Sequence, residues 1–222
     1  MTHHNWCVLF DLDGTLVDSL VDLADSMNRV LTRQGLPSHP IQAYRYFVGD
    51  GMATLVRRAL PAEAQQENLV QDCVQKMRQE YALHWADTTR PYPGIAELLD
   101  ALTVRQIPMA ILSNKPEELT QEVVRKILPD WHFAAVAGAR ETFPRKPDPA
   151  GALRISALLQ RKPADFLYLG DTNTDMQTAR SAGMFAIGAL WGFRTAEELK
   201  KNGAQALLSV PLELCPFLDH TP

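Results

Sequence analysis

Residues 6–15 read Trp6-Cys7-Val8-Leu9-Phe10-Asp11-Leu12-Asp13-Gly14-Thr15. An unbroken apolar run of strand length ends in two carboxylates, a glycine and a hydroxyl. A strand that is apolar on both faces belongs inside a parallel sheet covered by helices on either side. Side chains alternate along a strand, so Asp11 and Asp13 project the same way. Two crowded carboxylates repel each other, and a cation or a shared proton must offset that repulsion. One member of such a pair can attack a substrate while the other moves a proton.

Downstream of this strand the pattern turns helical. Leu20, Leu23, Ala24, Met27, Val30 and Leu31 recur at helical spacing, and Gly35-Leu36-Pro37 stops the helix. Met52, Leu55, Val56, Ala59 and Leu60 mark a second helix; Leu69, Val70, Cys73, Val74, Met77 and Tyr81 mark a longer third. No strand pattern interrupts residues 19–85. Pro91-Tyr92-Pro93-Gly94 then punctuates the chain. Helices near 95–105, 116–128, 150–160, 174–182 and 195–202 alternate from there with strands near 109–112, 133–136, 166–169, 185–190 and 206–208. This alternation predicts an α/β fold with a doubly wound parallel sheet. Residues 1–16 and 91–222 are expected to form the α/β domain, with residues 17–90 an inserted, all-helical one.

In such sheets ligands bind beyond the carboxyl ends of the strands. The strand at 109–112 is followed by Ser113-Asn114-Lys115, and the strand at 166–169 by Gly170-Asp171 and then Asp175. Arg145-Lys146-Pro147-Asp148 precedes a helix. Each group alone has a plain structural reading. Asp11 and Asp13 suit a polar turn, Thr15 and Ser113-Asn114 suit helix caps, Lys146 suits a solvated loop, and Asp171 and Asp175 suit a helix N-terminus. Their joint placement at strand mouths fits a phosphoryl site better. Asp11 and Asp171, with Asp175, can hold one Mg2+ through oxygen ligands. Ser113 can donate to a phosphoryl oxygen, and Lys146 can neutralise the transferring group. Asp11 can attack phosphorus, and Asp13 can protonate the leaving oxygen and then take a proton from water.

The 222 residues, 46% hydrophobic, suffice for a large domain with a smaller companion. Basic and acidic residues number 22 and 26, for a formal net charge of -4. Without a basic cluster, neither nucleic acid nor an anionic membrane surface is an expected partner. Cys7, Cys73 and Cys215 stand far apart in apolar surroundings, which argues against disulfides or zinc and for reduced thiols in a cytoplasmic protein. His3, His4, His39, His84, His132 and His220 lack ligand spacing and read as surface or core residues. No signal peptide or membrane-spanning stretch is expected. Neither a monomer nor a homodimer is favoured by these residues.

With those motifs in place the chain resembles the haloacid dehalogenase superfamily over nearly its whole length. The first motif, D-x-D-G-T, is Asp11 to Thr15; the second is Ser113; the third is Lys146; the fourth, G-D-x-x-x-D, is Gly170-Asp171 through Asp175. The resemblance implies a Rossmann-like core, Asp11 as nucleophile and Asp13 as acid/base. It also implies Mg2+ held by the Asp11 side chain, the Asp13 main-chain oxygen and Asp171, with Asp175 acting through water. The insert looks like a helical cap that closes over the site and selects substrate.

Phe10 to Ser19, Ser113-Asn114-Lys115-Pro116 and Val48-Gly49-Asp50-Gly51 are similar to the phosphoglycolate phosphatase group. That likeness implies a small phosphorylated metabolite as partner, 2-phosphoglycolate foremost. Thr15, Asn114, Lys115, Gly49, Gly51 and Arg45 are then candidates for touching substrate. Arg45, Arg57, Arg58 and Lys115 are cations available to its carboxylate, while Asp50 would oppose an anion unless it faces away. The alternatives are a promiscuous sugar-phosphate, nucleotide or pyrophosphate phosphatase and a phosphomutase of the beta-phosphoglucomutase type. Asp13 argues against dehalogenation, and the complete motif set argues against a non-catalytic binding protein. Trp191-Gly192-Phe193-Arg194 is expected to border the site mouth.

Overall fold

The computed structural model describes residues 6–140 and 143–219; His3, His4 and His220 lie outside them. In chain order the elements are β1 (Cys7–Phe10), β2 (Val17–Asp18), α1 (Leu20–Arg33), α2 (Tyr44–Phe47), α3 (Met52–Ala59), α4 (Glu67–His84) and β3 (Arg90–Pro91). There follow α5 (Ile95–Val104), β4 (Met109–Pro116), α6 (Glu117–Ile127), β5 (Ala135–Ala139), α7 (Ala150–Leu158) and β6 (Phe166–Gly170). The chain continues through α8 (Asn173–Ala182), β7 (Phe185–Ala189), α9 (Ala196–Lys201), β8 (Ala206–Leu208) and α10 (Cys215–Asp219). Two compact units result, one of residues up to Val17 and from Pro91 onward, the other of Asp18–Arg90. β2 and β3 pair with each other where the chain leaves the first unit and where it returns.

The first unit carries a six-stranded sheet in the order β5-β4-β1-β6-β7-β8. Its neighbouring strands run parallel throughout. The chain builds outward from β1 on one side, then restarts at β6 on the other, the doubly wound order that the alternating pattern predicts. The apolar runs explain the burial. Cys7 and Leu9 pack on one face with Tyr168, Ile155, Met176, Ala179 and Leu199. Val8 and Phe10, of opposite parity, are equally buried. Each large apolar side chain so enclosed contributes about 1.5–3 kcal/mol.

Two strands differ from expectation. β4 runs on past residue 112 to Pro116, with a register break between Leu112 and Pro116. The strand expected at 133–136 lies at Ala135–Ala139. Phe133 is buried ahead of it, and the Ala134 N–H donates to the Met109 carbonyl at 2.8 Å. The apolar signal therefore centres on the anchor, while the edge strand itself is built of small, half-buried residues. Gly138 is required there, because a Cβ would run into the backbone of Glu117 at the start of α6. The short α2 and α10 were not expected from periodicity; they are too brief to show one.

In the Asp18–Arg90 unit, α1 packs on α4, and α3 packs on both α2 and α4. Leu23, Met27, Val30, Leu31, Val70, Val74, Met77 and Tyr81 are buried along these helices. Asp22 is buried as well and accepts hydrogen bonds from the Thr88 N–H (2.9 Å), the Thr88 hydroxyl (2.6 Å), the Thr89 N–H (2.8 Å) and the Thr89 hydroxyl (2.7 Å). Burial pushes its carboxyl up, and these donors outweigh that and hold it below its ordinary value. Asp22→Ala strands the donors and is expected to cost about 2–4 kcal/mol in denaturant unfolding near neutral pH. A lowered carboxyl pKa contributes stability above the ordinary range and loses it as the pH falls through the folded value. The gap between wild type and Asp22→Ala should therefore close in acid; a gap that persists there contradicts this assignment.

Candidate active site

β1 and β6 end level with each other, Phe10 beside Leu169, and the Asp11 N–H donates to the Leu169 carbonyl at 2.9 Å. This is the point at which the strand order reverses. Asp11 follows β1 directly, Asp171 follows β6, and Asp175 lies in the first turn of α8. One carboxylate oxygen from each of these three buried acids lies within 4.8 Å of the others, a group able to hold a metal ion. Asp13 is outside that group.

Each acid is fixed by donors. Asp171 accepts from the Thr15 hydroxyl at 2.9 Å and from the Phe193 N–H at 2.8 Å. Asp175 accepts from the Thr172 N–H (3.0 Å) and hydroxyl (2.6 Å) on one oxygen, and from the Tyr168 hydroxyl (3.2 Å) on the other. Thr172 and Asp175 thereby form the capping box that starts α8. Gly14, Gly170 and Gly192 close in on these acids, since a Cβ at any of them would overlap Asp171 or Asp175. Gly14 also sits at φ +91°, a conformation costly for any residue with a Cβ.

Two lysines divide the acids between them. Lys146 Nζ lies 2.8 Å from Asp11 and 2.6 Å from Asp175. Lys115 Nζ donates to both oxygens of Asp13, at 2.9 and 3.0 Å. Asn114 clasps the Lys146 backbone: its Oδ1 accepts from the Lys146 N–H at 3.0 Å and its Nδ2 donates to the Lys146 carbonyl at 3.1 Å. Ser113 is buried, and its Oγ accepts from the Lys115 N–H at 3.2 Å.

The charges are strongly perturbed. Burial, then the neighbouring Asp175, push the Asp11 carboxyl up to about 7 against the pull of Lys146. Asp171 is held well above the carboxylate range by burial and by Asp11 and Asp175, with the Phe193 N–H and the Thr15 hydroxyl opposing. Burial lowers the Lys146 ammonium, but Asp11 and Asp175 outweigh it and leave it well above its ordinary value. Groups displaced in this way, converging at a strand mouth, mark a site of chemistry.

A profile of the haloacid dehalogenase-like hydrolases matches residues 8–189. The chain belongs to this family. Among curated proteins it is 34% identical over 220 residues to the phosphoglycolate phosphatase of Chromobacterium violaceum, with 98% of each chain covered. It is 30% identical over 213 residues to that of Aquifex aeolicus, with 96% of each covered. The crystal structure of a predicted phosphoglycolate phosphatase from Haemophilus somnus superposes with a TM-score of 0.88 at 25% identity, covering 96% of this chain and 98% of that one.

Asp11, Asp13, Thr15, Ser113, Asn114, Lys115, Lys146, Asp171 and Asp175 come together at the carboxyl edge of the haloacid dehalogenase-like sheet. Thr15, Asn114 and Lys115, expected to touch substrate, each bond to another residue of the site. Arg45, Gly49 and Gly51 belong to the Asp18–Arg90 unit, with Arg45 on the exposed side of α2. In that unit Arg58 pairs with Asp50 at 2.6 Å and Arg57 pairs with Glu67 at 2.5 Å. Asp50 thus carries a local counter-charge. Sequence reasoning missed Tyr168, Thr172 and the Phe193 N–H. The Thr-x-x-Asp spacing of Thr172 and Asp175 was the available signal for the second. A backbone amide carries none. The 191–194 loop borders the site as expected: Trp191 Nε1 donates to the Thr15 carbonyl at 3.0 Å. No helix among the described residues is long and apolar enough to cross a membrane.

Proposed function

We propose that this chain hydrolyses small phosphate monoesters, 2-phosphoglycolate foremost, through a phosphoryl group carried on Asp11. The observation that carries this reading is Asp11 itself. It is a buried carboxylate at the switch point, gripped by Lys146 and grouped with Asp171 and Asp175.

The acids fit Mg2+. Hard carboxylate oxygens suit that ion. Asp11, Asp13, Asp171 and Asp175 against Lys115 and Lys146 leave two formal negative charges, which one divalent cation balances. Asp175 accepts four hydrogen bonds, from Thr172, Tyr168 and Lys146, against two on Asp171, and the family resemblance implies that it acts through water. Asp11 and Asp171 suit direct ligation, joined by the Asp13 carbonyl as the family resemblance implies. When bound, the ion supplies positive charge opposite the phosphoryl oxygens.

The residues then divide the work. Lys146 favours the ionised form of Asp11 and aims it. An Asp11 oxygen bonds to phosphorus as the ester P–O bond breaks, and the departing oxygen takes the electron pair and a proton from Asp13. In the second half, water gives its proton to Asp13 and its oxygen bonds to phosphorus. The Asp11–phosphorus bond breaks and inorganic phosphate leaves. Ser113 donates to a phosphoryl oxygen. The Asp18–Arg90 unit acts as the cap, with Arg45, Gly49 and Gly51 in its substrate-selecting part. The names carried by the Chromobacterium and Aquifex relatives favour 2-phosphoglycolate, and the reduced state of Cys7, Cys73 and Cys215 suits the cytoplasm.

The test is phosphate release from a panel of phosphomonoesters, nucleotides and pyrophosphate, with and without Mg2+. Preference for 2-phosphoglycolate is the expected result. Comparable, weak turnover across the panel replaces it with a broad phosphatase, and no turnover on any member overturns the reading.

A further inference from the structure

We propose that Lys115 is the positioning residue for Asp13, rather than a receptor for a substrate carboxylate. This rests on the phosphatase reading above. Lys115 Nζ donates to both Asp13 oxygens, 102 residues away in the chain. The lysine side chain is 3% exposed and the aspartate side chain 13%. The backbone of Lys115 is tied on both sides, its N–H to Ser113 Oγ at 3.2 Å and its carbonyl to the Thr120 hydroxyl at 3.1 Å. A two-point grip from an anchored, buried ammonium fixes the rotation of the carboxylate it holds.

The grip also divides the acids. Lys146 serves Asp11 and Asp175. Lys115 holds the fourth acid, Asp13, apart from the three that converge. An acid/base group has to stay off the metal cluster to exchange protons. In the first step Asp13 gives its proton to the departing oxygen and is left as a carboxylate beside an ammonium that offsets its charge. That help matters in proportion to how poor the leaving group is. An alkoxide needs the proton, whereas p-nitrophenolate departs without it.

This gives a signature that neither a carboxylate receptor nor a packing residue shares. Leaving-group release in the first turnover is measured for wild type, Lys115→Met and Lys115→Arg. The substrates are 2-phosphoglycolate, ethyl phosphate and p-nitrophenyl phosphate. The expected result for Lys115→Met is a loss of about 100-fold on both alkyl esters, with or without a carboxylate, and a far smaller loss on the aryl ester. Lys115→Arg, which keeps two-point donation, should recover part of the alkyl rate.

A loss confined to 2-phosphoglycolate and carried by KM would make Lys115 a carboxylate receptor and overturn the proposal. An equal loss on all three esters would do the same in favour of a structural role. A crystal structure of Lys115→Met gives a readout without turnover: the Asp13 carboxylate should leave its wild-type position, and an unmoved carboxylate overturns the proposal. Should wild type turn over none of the esters, the phosphatase reading fails by itself, and the crystal structure still decides whether Lys115 holds Asp13.

Discussion

Asp11→Asn is expected to lower turnover by about 10^6-fold, the scale seen when a covalent nucleophile is removed, without unfolding the protein. The two halves of that expectation have separate causes. An amide is a poor nucleophile, so no phosphoryl group is carried and the second half of the cycle has no substrate. The fold survives because Asn has almost the same shape and the strand bonds of β1 are made by its backbone. The substitution also removes a charge that burial and Asp175 disfavour. Lys146 keeps its 2.6 Å partner Asp175. The check is phosphate release together with the melting temperature of both proteins in chelator. Appreciable residual turnover sinks the nucleophile assignment. A collapse in melting temperature instead makes Asp11 chiefly structural.

Removing divalent cations is the second large effect. Dialysis against chelator should silence the enzyme, and Mg2+ should restore it. The same cation should raise the melting temperature, because whatever binds only the folded state stabilises it; at a hundred times Kd the gain is about 2.7 kcal/mol. Asp171→Asn separates the ion from the fold. Burial and the charges of Asp11 and Asp175 raise the Asp171 carboxyl. A raised carboxyl pKa costs stability above the ordinary carboxylate range, and that cost fades as the pH falls and the group protonates. In chelator at pH 8, Asp171→Asn should therefore melt above wild type, and the difference should shrink in acid. In Mg2+ the order should reverse, because the variant gains little from the ion. Full turnover in excess chelator, or an equal Mg2+ shift in both proteins, would count against this centre.

The parts of this molecule that the sequence makes legible are those written in side-chain chemistry. β1 and β6 are apolar on both faces and sit centrally, so their ends could be found by composition alone. Asp11, Asp171 and Lys146 could be weighed together because the doubly wound order brings the ends of separate strands to one place. β5 was displaced because its small residues carry almost no apolar signal and Phe133, ahead of it, carries a strong one. The contacts that orient the acids were hidden for a different reason. The Phe193 amide on Asp171 is backbone, and the clasp between Asn114 and Lys146 joins residues far apart in the chain. The pairing of Lys115 with Asp13 depends on how far β4 extends beyond Leu112.

The glycines around the acids have a bearing on descent. Any base change in a glycine codon that alters the residue adds at least one carbon. At Gly14, Gly170 and Gly192 that carbon would occupy space already filled by Asp171 or Asp175. These positions therefore offer no graded series of neighbours through which a lineage could drift. A descendant of this protein either keeps all three or rebuilds the acid cluster.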